Sequence, residues 1–239
     1  MIPSLSLAAI ETWMSPRRYR NVDVASAPFT WFGPLHNHAS SLARHDWILS
    51  LDSDEVLSAP LAEEILSTQL DPGSVYAFPR HNYFNGKLIK GCGWYPDEQV
   101  RLYHRGRTRF TDAPVHERVL TPGLKAELFQ HTARHDSYDS IGEFLNKMQR
   151  YSDLYAVQNR LQKPSSPGTA VRHGLVAFLK SYLLKRGFLD GYEGFVISAY
   201  NGQTAYYKYL KLYEANCRAT IERKRQPAAD PAMRSGSDE

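Results

Sequence analysis

D-W-I-L-S-L-D-S-D-E-V-L-S, residues 46–58, is the stretch of sequence from which the fold can be predicted. Its apolar run from Trp47 to Leu51 has the length of a buried β-strand. Three acids follow within four residues, namely Asp52, Asp54 and Glu55. Carboxylates so close together repel each other, and Mg²⁺ or Mn²⁺ would neutralise them. Because open α/β sheets bind ligands at the ends of their strands, the stretch predicts an α/β fold with a candidate divalent-cation site.

The same acids also fit a purely structural interpretation. An acidic turn would connect the strand to a helix at about 60–70, with Ser58 or an acid as its N-cap. The residues alone leave both interpretations open.

Composition indicates a folded protein with an uneven charge. The chain has 239 residues, of which 42% are hydrophobic and 12% aromatic, and its net charge is +4. Residues 1–139 carry 14 basic and 16 acidic groups, whereas residues 140–225 carry 14 and 6, a net charge of +8. A basic C-terminal third favours an anionic neighbour, either lipid headgroups or nucleic acid.

The cysteines and the apolar segments indicate the compartment. Cys92 and Cys217 form neither a metal-binding set nor a disulfide framework, which suits a reducing environment. The N-terminus lacks the basic start and long apolar core of a secretory signal. No run reaches the ~18 apolar residues of a membrane span. We therefore expect a cytoplasmic protein that can meet a membrane only at its surface.

Hydrophobic periodicity and turn residues predict the elements of residues 1–139. They are a helix at about 5–14, a short strand at 21–27, a turn at Gly33-Pro34 with a helix to Ala43, a helix at 61–70, a strand at 74–80, a hairpin turning at Asn85-Gly86, and a strand ending near Arg105. In that last strand, Val100 and Leu102 are predicted to face inward, and Arg101 and Tyr103 outward.

From Ser140 the hydrophobic period becomes that of helices. Helices are predicted from Ile141 onward, at 171–188 and at 195–213, and residues 222–239 are predicted to be disordered. The helix at 171–188 combines an apolar face with basic residues. It would either pack Leu175, Phe178 and Leu179 against the sheet domain or lie in the headgroup region of an anionic membrane.

Five motifs, taken in order, resemble family 2 glycosyltransferases, and most closely the branch associated with bacterial lipopolysaccharide core biosynthesis. They are W-F-G-P-L-H-N-H-A (31–39), D-W-I-L-S-L-D-S-D-E (46–55), W-Y-P-D-E-Q-V-R-L-Y (94–103), V-H-E (115–117) and F-L-K-S-Y-L-L-K-R-G-F-L-D-G (178–191). The resemblance covers roughly residues 30–215. It implies a GT-A-like α/β sandwich with a mostly parallel sheet. Together with the change of hydrophobic period at Ser140, it predicts a partial transferase domain over 1–139 and a basic helical region over 140–221.

The resemblance also implies the chemistry. A nucleotide-sugar donor, a divalent cation and a lipopolysaccharide-core or other lipid-linked acceptor would meet in an inverting transfer. The partner surface would be the anionic inner membrane and not nucleic acid. Asp52 and Asp54 would be the D-x-D pair at the metal, and Asp97 the base that activates the acceptor, with Glu117 as the alternative. The donor-binding residues implied by the resemblance are Asp52, Asp54, Asn37, Glu55, His116 and Arg101.

Two features depart from the family pattern. Only 51 residues precede Asp52, so the N-terminal nucleotide-binding part is expected to be truncated or altered. His36 stands where the family usually has a lysine. A degenerate relative that binds glycan or membrane without turnover is therefore the alternative function. A metal-dependent phosphohydrolase would require further closely spaced histidine or acidic ligands, which are not evident.

Overall fold

The computed structural model describes residues 6–9, 23–28, 30–113, 117–138 and 140–225. The chain divides into two compact units. Unit 1 comprises Met1–Ile89 and Trp94–Ser137, and unit 2 comprises Lys90–Gly93 and Tyr138–Glu239. The four residues Lys90–Gly93 thus belong to unit 2, although residues of unit 1 precede and follow them in the sequence.

In its described residues, unit 1 has a mixed sheet of eight strands and two helices. Its elements are β1 (Ser6–Ala9), α1 (Phe32–Leu42), β2 (Trp47–Leu51), β3 (Glu55–Leu57), α2 (Ala59–Ser67), β4 (Ser74–Phe84), β5 (Lys87–Leu88), β6 (Glu98–His104), β7 (Lys125–Leu128) and β8 (Ala133–Tyr138). The strand order is β1-β2-β6-β4-β8-β3, and β5 and β7 also pair with β4.

The predicted α/β class agrees with this architecture, but the prediction of a mostly parallel sheet is wrong for the described strands. The pairs β1–β2 and β4–β7 are parallel. The pairs β2–β6, β3–β8, β4–β5 and β4–β6 are antiparallel. The β4–β5 pair is antiparallel because a tight hairpin joins its two strands, and such a connection needs no crossover helix.

Strand β2 is buried on both faces. Leu49 belongs to a core cluster with Leu61 and Ile65 of α2, so this helix covers one face of the sheet. Ile48 points to a second cluster that contains Tyr103. Side chains alternate between the two faces of a strand, so a continuous apolar run is what a strand covered on both sides requires.

The N-terminal predictions are corrected by the structure. Ser6–Ala9 is a strand parallel to β2, with Ser6 opposite Ile48, where a helix was predicted. The backbone groups on the side of β2 away from β6 need partners, and β1 supplies them. Residues 23–27 have no strand structure, contrary to prediction, and residues 10–22 lie outside the described part of the chain.

Several local predictions are confirmed. Ser58 caps α2, its side chain accepting a hydrogen bond from the Leu61 N–H. Asn85 and Gly86 form the hairpin turn with positive φ angles of 51° and 73°, as a two-residue turn of this kind requires. The Gly33-Pro34 pair lies inside the first turn of α1 and not before it. Proline is tolerated there because the first turn needs no intrahelical N–H donor.

Unit 2 is mainly helical. It contains α3 (Ile141–Asn159), α4 (Pro167–Leu179), a π-helical turn (Lys180–Leu184), a 3-10 turn (Gly187–Asp190) and α5 (Gly191–Arg225). The helix predicted to reach residue 188 ends earlier because Arg186 takes a left-handed conformation, with φ 55°. Disorder predicted from residue 222 is wrong for 222–225, which continue α5. No helix in the described ranges is both long and apolar enough to cross a membrane.

Small residues allow the helices of unit 2 to approach each other closely. A Cβ atom built on Gly174 of α4 would lie 3.1 Å from the carbonyl oxygen of Gly202, and a Cβ on Gly202 would lie 3.1 Å from the carbonyl oxygen of Gly174. Neither position has room for a larger side chain without movement of the opposite backbone. The α4–α5 crossing is therefore fixed by a pair of glycines.

Candidate active site

A tight turn at the end of β2 brings two of the predicted acids together. The Glu55 N–H donates to the carbonyl oxygen of Asp52 over 3.0 Å. In return, the Asp52 N–H donates to Oε2 of Glu55 over 3.1 Å. The Glu55 side chain is 0% exposed, and a buried carboxylate requires partners that offset its lost hydration.

Arg101 of β6 supplies the first partner. Its Nη2 group donates to Oδ2 of Asp52 and to Oε1 of Glu55, each over 2.5 Å. Arg101 was predicted to face outward and is buried, together with Leu102 and Tyr103, because β6 lies between β2 and β4. Burial by itself would lower the pKa of Arg101, but the Glu55 and Asp52 carboxylates outweigh it and the pKa is raised.

Arg80 of β4 supplies the second partner, and the sequence analysis assigned no specific role to this residue. Its Nη1 group donates to Oε1 of Glu55 over 2.5 Å. Its Nε and Nη2 groups both donate to Oδ2 of Asp97, over 3.0 and 2.8 Å. One signal pointed to it: three clustered acids need positive charge, and Arg80 ends the strand predicted at 74–80.

The carboxylate of Asp97 is fully engaged. Besides Arg80, Oδ2 accepts from the Asn82 amide over 3.0 Å, and Oδ1 accepts from the Gln99 amide over 2.7 Å. Burial would raise the pKa of Asp97, but the Asn82 hydrogen bond and the charge of Arg80 outweigh it, so the pKa lies below its ordinary value. Asp52, Arg101, Glu55, Arg80 and Asp97 therefore form one chain of ion pairs, called here the ion-pair chain.

Asp54 has a different partner. Its Oδ2 lies 3.2 Å from Nε2 of His135 on β8. The other ring nitrogen of His135, Nδ1, lies 2.5 Å from the amide oxygen of Asn82. The amide nitrogen of Asn82 donates in turn to Asp97. Burial would raise the pKa of Asp54, but the His135 hydrogen bond and charge lower it further than burial raises it. Asn82 thus connects the Asp54–His135 pair to the ion-pair chain.

His36 lies beside the first acid. Its Nδ1 is 3.0 Å from the Ser50 hydroxyl, its Nε2 is 3.8 Å from Oδ1 of Asp52, and its ring stacks on Phe110 at 4.3 Å. Burial lowers the pKa of His36 more than the nearby carboxylates, Asp52 first among them, raise it. At neutral pH this residue is therefore an uncharged imidazole beside Asp52, where the family pattern has a lysine.

The remaining predicted residues lie apart from these contacts or outside the described chain. The Asn37 amide donates to the Phe110 carbonyl over 3.0 Å and accepts from the Phe110 N–H over 2.9 Å, so Asn37 joins α1 to the backbone at Phe110. Glu117 is partly buried and acts electrostatically on His36. His116 falls outside the described residues.

The acids fit a cation site of one kind only. Among the described residues, no three His, Cys, Asp or Glu side chains come close enough to hold a metal on their own. Mg²⁺, however, is commonly held by one or two carboxylates together with substrate phosphates. The side chains of Asp54 and Asp52 are 45% and 37% exposed, so these two acids fit a site of that kind.

Comparison with known proteins points to the transferase class. The chain is 27% identical over 213 residues to an uncharacterized glycosyltransferase of Rickettsia typhi, a match covering 79% of this chain and 70% of the relative. It is 28% identical over 192 residues to a similarly named protein of Rickettsia prowazekii, covering 70% and 63%. A third, from Rickettsia felis, is 27% identical over 209 residues, covering 77% and 71%. No protein-family model matches the chain. The relatives support a general glycosyltransferase role.

Proposed function

We propose that this protein transfers a sugar, with inversion, from a nucleotide-sugar donor to a lipopolysaccharide-core or other lipid-linked glycan. The reaction would take place at the cytoplasmic face of the inner membrane and depend on a divalent cation. The observation that carries the proposal is the end of β2, where the ion-pair chain holds Asp52 and His135 holds Asp54. The motif resemblance and the names of the relatives support the same class.

Asp54 and Asp52 would hold the cation against the donor diphosphate. A bound cation offsets the negative charge that develops on the departing nucleoside diphosphate. The role of Arg101 is to fix the Asp52 carboxylate, and that of His135 is to fix Asp54. Both acids are thus oriented by side chains on other strands before any ligand arrives, which lowers the cost of forming the site.

In the transfer step, the acceptor hydroxyl oxygen bonds to the anomeric carbon while the bond from that carbon to the diphosphate breaks. The hydroxyl proton passes to a carboxylate. Asp97 and Glu117 are the two candidates for this base. The lowered pKa of Asp97 keeps it ionised, as a base must be, but its hydrogen bonds to Arg80, Asn82 and Gln99 weaken its affinity for a proton. Both residues are therefore tested.

One observation favours the alternative of a degenerate relative that binds glycan or membrane without turnover. Arg101 pairs with Asp52 and Glu55, and Arg80 pairs with Glu55 and Asp97, so protein side chains already offset two of the three negative charges in the cluster. The cluster therefore serves the stability of the fold whether or not transfer occurs.

The test is to incubate the purified chain with a panel of sugar nucleotides and truncated lipopolysaccharide, with Mn²⁺ or with a chelator. We expect nucleoside diphosphate release that requires both Mn²⁺ and acceptor. Asp97→Asn or Glu117→Gln should lower turnover by about 10²–10⁴-fold, whichever residue is the base, with donor affinity retained. The matched control is Asp112→Asn, which alters an exposed carboxylate paired with Arg109. No turnover with any donor would favour the degenerate relative.

A further inference from the structure

The turn after α4, residues 183–189, exposes large apolar side chains and is called here the apolar turn. Leu184 is 79% exposed and Leu189 is 68% exposed, and Leu183 and Phe188 are exposed as well. Further exposed apolar residues extend this surface along α4 and into α5: Val171, Leu175, Val176, Leu179, Tyr192 and Phe195. Large exposed apolar patches on soluble proteins mark sites of interaction with another protein or a membrane.

Both charged side chains within the apolar turn are basic. Lys185 and Arg186 lie within the turn, and both are exposed. From residue 154 to residue 189 the sequence contains no Asp or Glu and six basic residues. These are Arg160, Lys163, Arg172, Lys180, Lys185 and Arg186. Apolar side chains flanked by Lys and Arg match the boundary between the headgroups and the acyl chains of an anionic leaflet.

The base of the turn is firmly held by the segment Lys90–Gly93. The Cys92 N–H donates to the Lys185 carbonyl oxygen over 2.9 Å. The Gly91 N–H donates to the Asp190 carboxylate over 2.6 Å. A Cβ atom on Gly187 would lie 2.7 Å from the Cys92 sulfur, so the backbone there is closely packed. The exposed leucines are therefore presented from a fixed base and do not belong to a loosely held loop.

We propose that the apolar turn inserts into the surface of an anionic lipid bilayer. Leu184, Phe188 and Leu189 enter the acyl boundary, while Lys185 and Arg186 contact lipid phosphates. An anionic membrane fits better than a protein partner because both charged residues of the turn are basic and the chain from residue 154 up to the turn carries no acid. This attachment does not depend on the transfer reaction, and it explains how a chain without a spanning helix in its described part would be held at a membrane.

Co-sedimentation of the full chain with vesicles tests this attachment. The parent protein should bind vesicles containing phosphatidylglycerol, bind pure phosphatidylcholine weakly, and lose affinity as salt rises. Lys185→Glu with Arg186→Glu should weaken binding at least about 30-fold, because each basic residue near an anionic surface contributes about 1 kcal/mol of binding free energy. Leu184→Ser with Leu189→Ser should weaken it at least about 10-fold. Circular dichroism should show that both variants remain folded.

Matched controls separate this surface from general effects of charge and hydrophobicity. Val157→Ser removes an equally exposed apolar residue from α3, and Lys87→Glu with Lys125→Glu makes the same charge change in unit 1. Both should bind as the parent does. Failure of the parent to bind at low salt overturns the proposal, as does parent-like binding by the leucine variant. A dimer in solution that the leucine variant abolishes, without vesicle binding, would assign the surface to a second copy and also overturn it.

Discussion

Glu55→Gln is the substitution from which we expect the largest loss of stability in unit 1. The Glu55 side chain is fully buried, and its Oε1 accepts hydrogen bonds from both Arg101 and Arg80. Its Oε2 accepts from the Asp52 N–H. Glutamine keeps the shape but removes the charge, and its amide places an NH₂ group against one of these donors. Breaking a buried ion pair by removing one partner costs about 3–5 kcal/mol, so we expect a loss of about 3 kcal/mol.

Urea unfolding followed by tryptophan fluorescence measures this loss of stability in unit 1, where Glu55 lies. All four tryptophans, at positions 13, 31, 47 and 94, belong to unit 1, so the signal is insensitive to unit 2. Asp112→Asn is the control, because its exposed pair with Arg109 should contribute less than about 1 kcal/mol. The urea m-value should stay unchanged in both variants. A Glu55→Gln protein as stable as the control would refute the organising role of the ion-pair chain.

Two further predictions concern packing and pH. Gly33→Ala should destabilise unit 1 by about 1–3 kcal/mol, because the new Cβ would lie 1.9 Å from the Thr111 carbonyl oxygen. The control Gly142→Ala, whose Cβ would meet nothing closer than 3.6 Å, should not be destabilising, and thermal unfolding compares the two variants. Because the pKa of Asp97 is lowered on folding, its contribution to stability is complete above the ordinary value near 4 and is lost as the pH falls through the folded value. Asp97→Asn should therefore lose less stability than the parent between pH 5 and pH 2, and an acid titration followed by fluorescence would contradict this if the two curves ran parallel.

The elements that could be predicted from the sequence are those with strong local signals. The five-residue strand from Trp47 to Leu51 is apolar and bounded, and the Ser58 cap and the Asn85-Gly86 turn each depend on neighbouring residues alone. Such signals need no knowledge of distant strands. They were enough to place the D-x-D acids at the end of a buried strand.

The partners of these acids could not be predicted because they come from distant parts of the chain. Arg80 and Arg101 reach Glu55 from β4 and β6, and strand alternation wrongly placed Arg101 on the outside. A charged residue is compatible with a buried position when carboxylates pair with it, and hydrophobic periodicity contains no information about such pairing. The same limit applies to Ser6–Ala9, whose strand structure depends on pairing with β2.

The helix predicted across the apolar turn was wrong for a related reason. Its apolar and basic residues keep a helical spacing up to Phe188, but the chain leaves the helix at Arg186. Contacts of Lys185 and Asp190 with the segment Lys90–Gly93, about 100 residues earlier in the chain, stabilise this left-handed position. Local propensity does not reveal contacts at that separation.

Binding of a nucleoside diphosphate in the presence of Mn²⁺ tests the proposed donor site most directly. Isothermal titration of the parent with UDP, GDP and ADP should show binding of at least one of them that requires Mn²⁺. Asp54→Ala should weaken this affinity by more than about 100-fold, since loss of even outer-shell partners of a metal costs ~10–100-fold. Asp112→Ala should bind as the parent does. Equal Mn²⁺-dependent affinity in Asp54→Ala and the parent, or no binding of any of the three nucleotides, would contradict the assignment of Asp54 to the donor diphosphate.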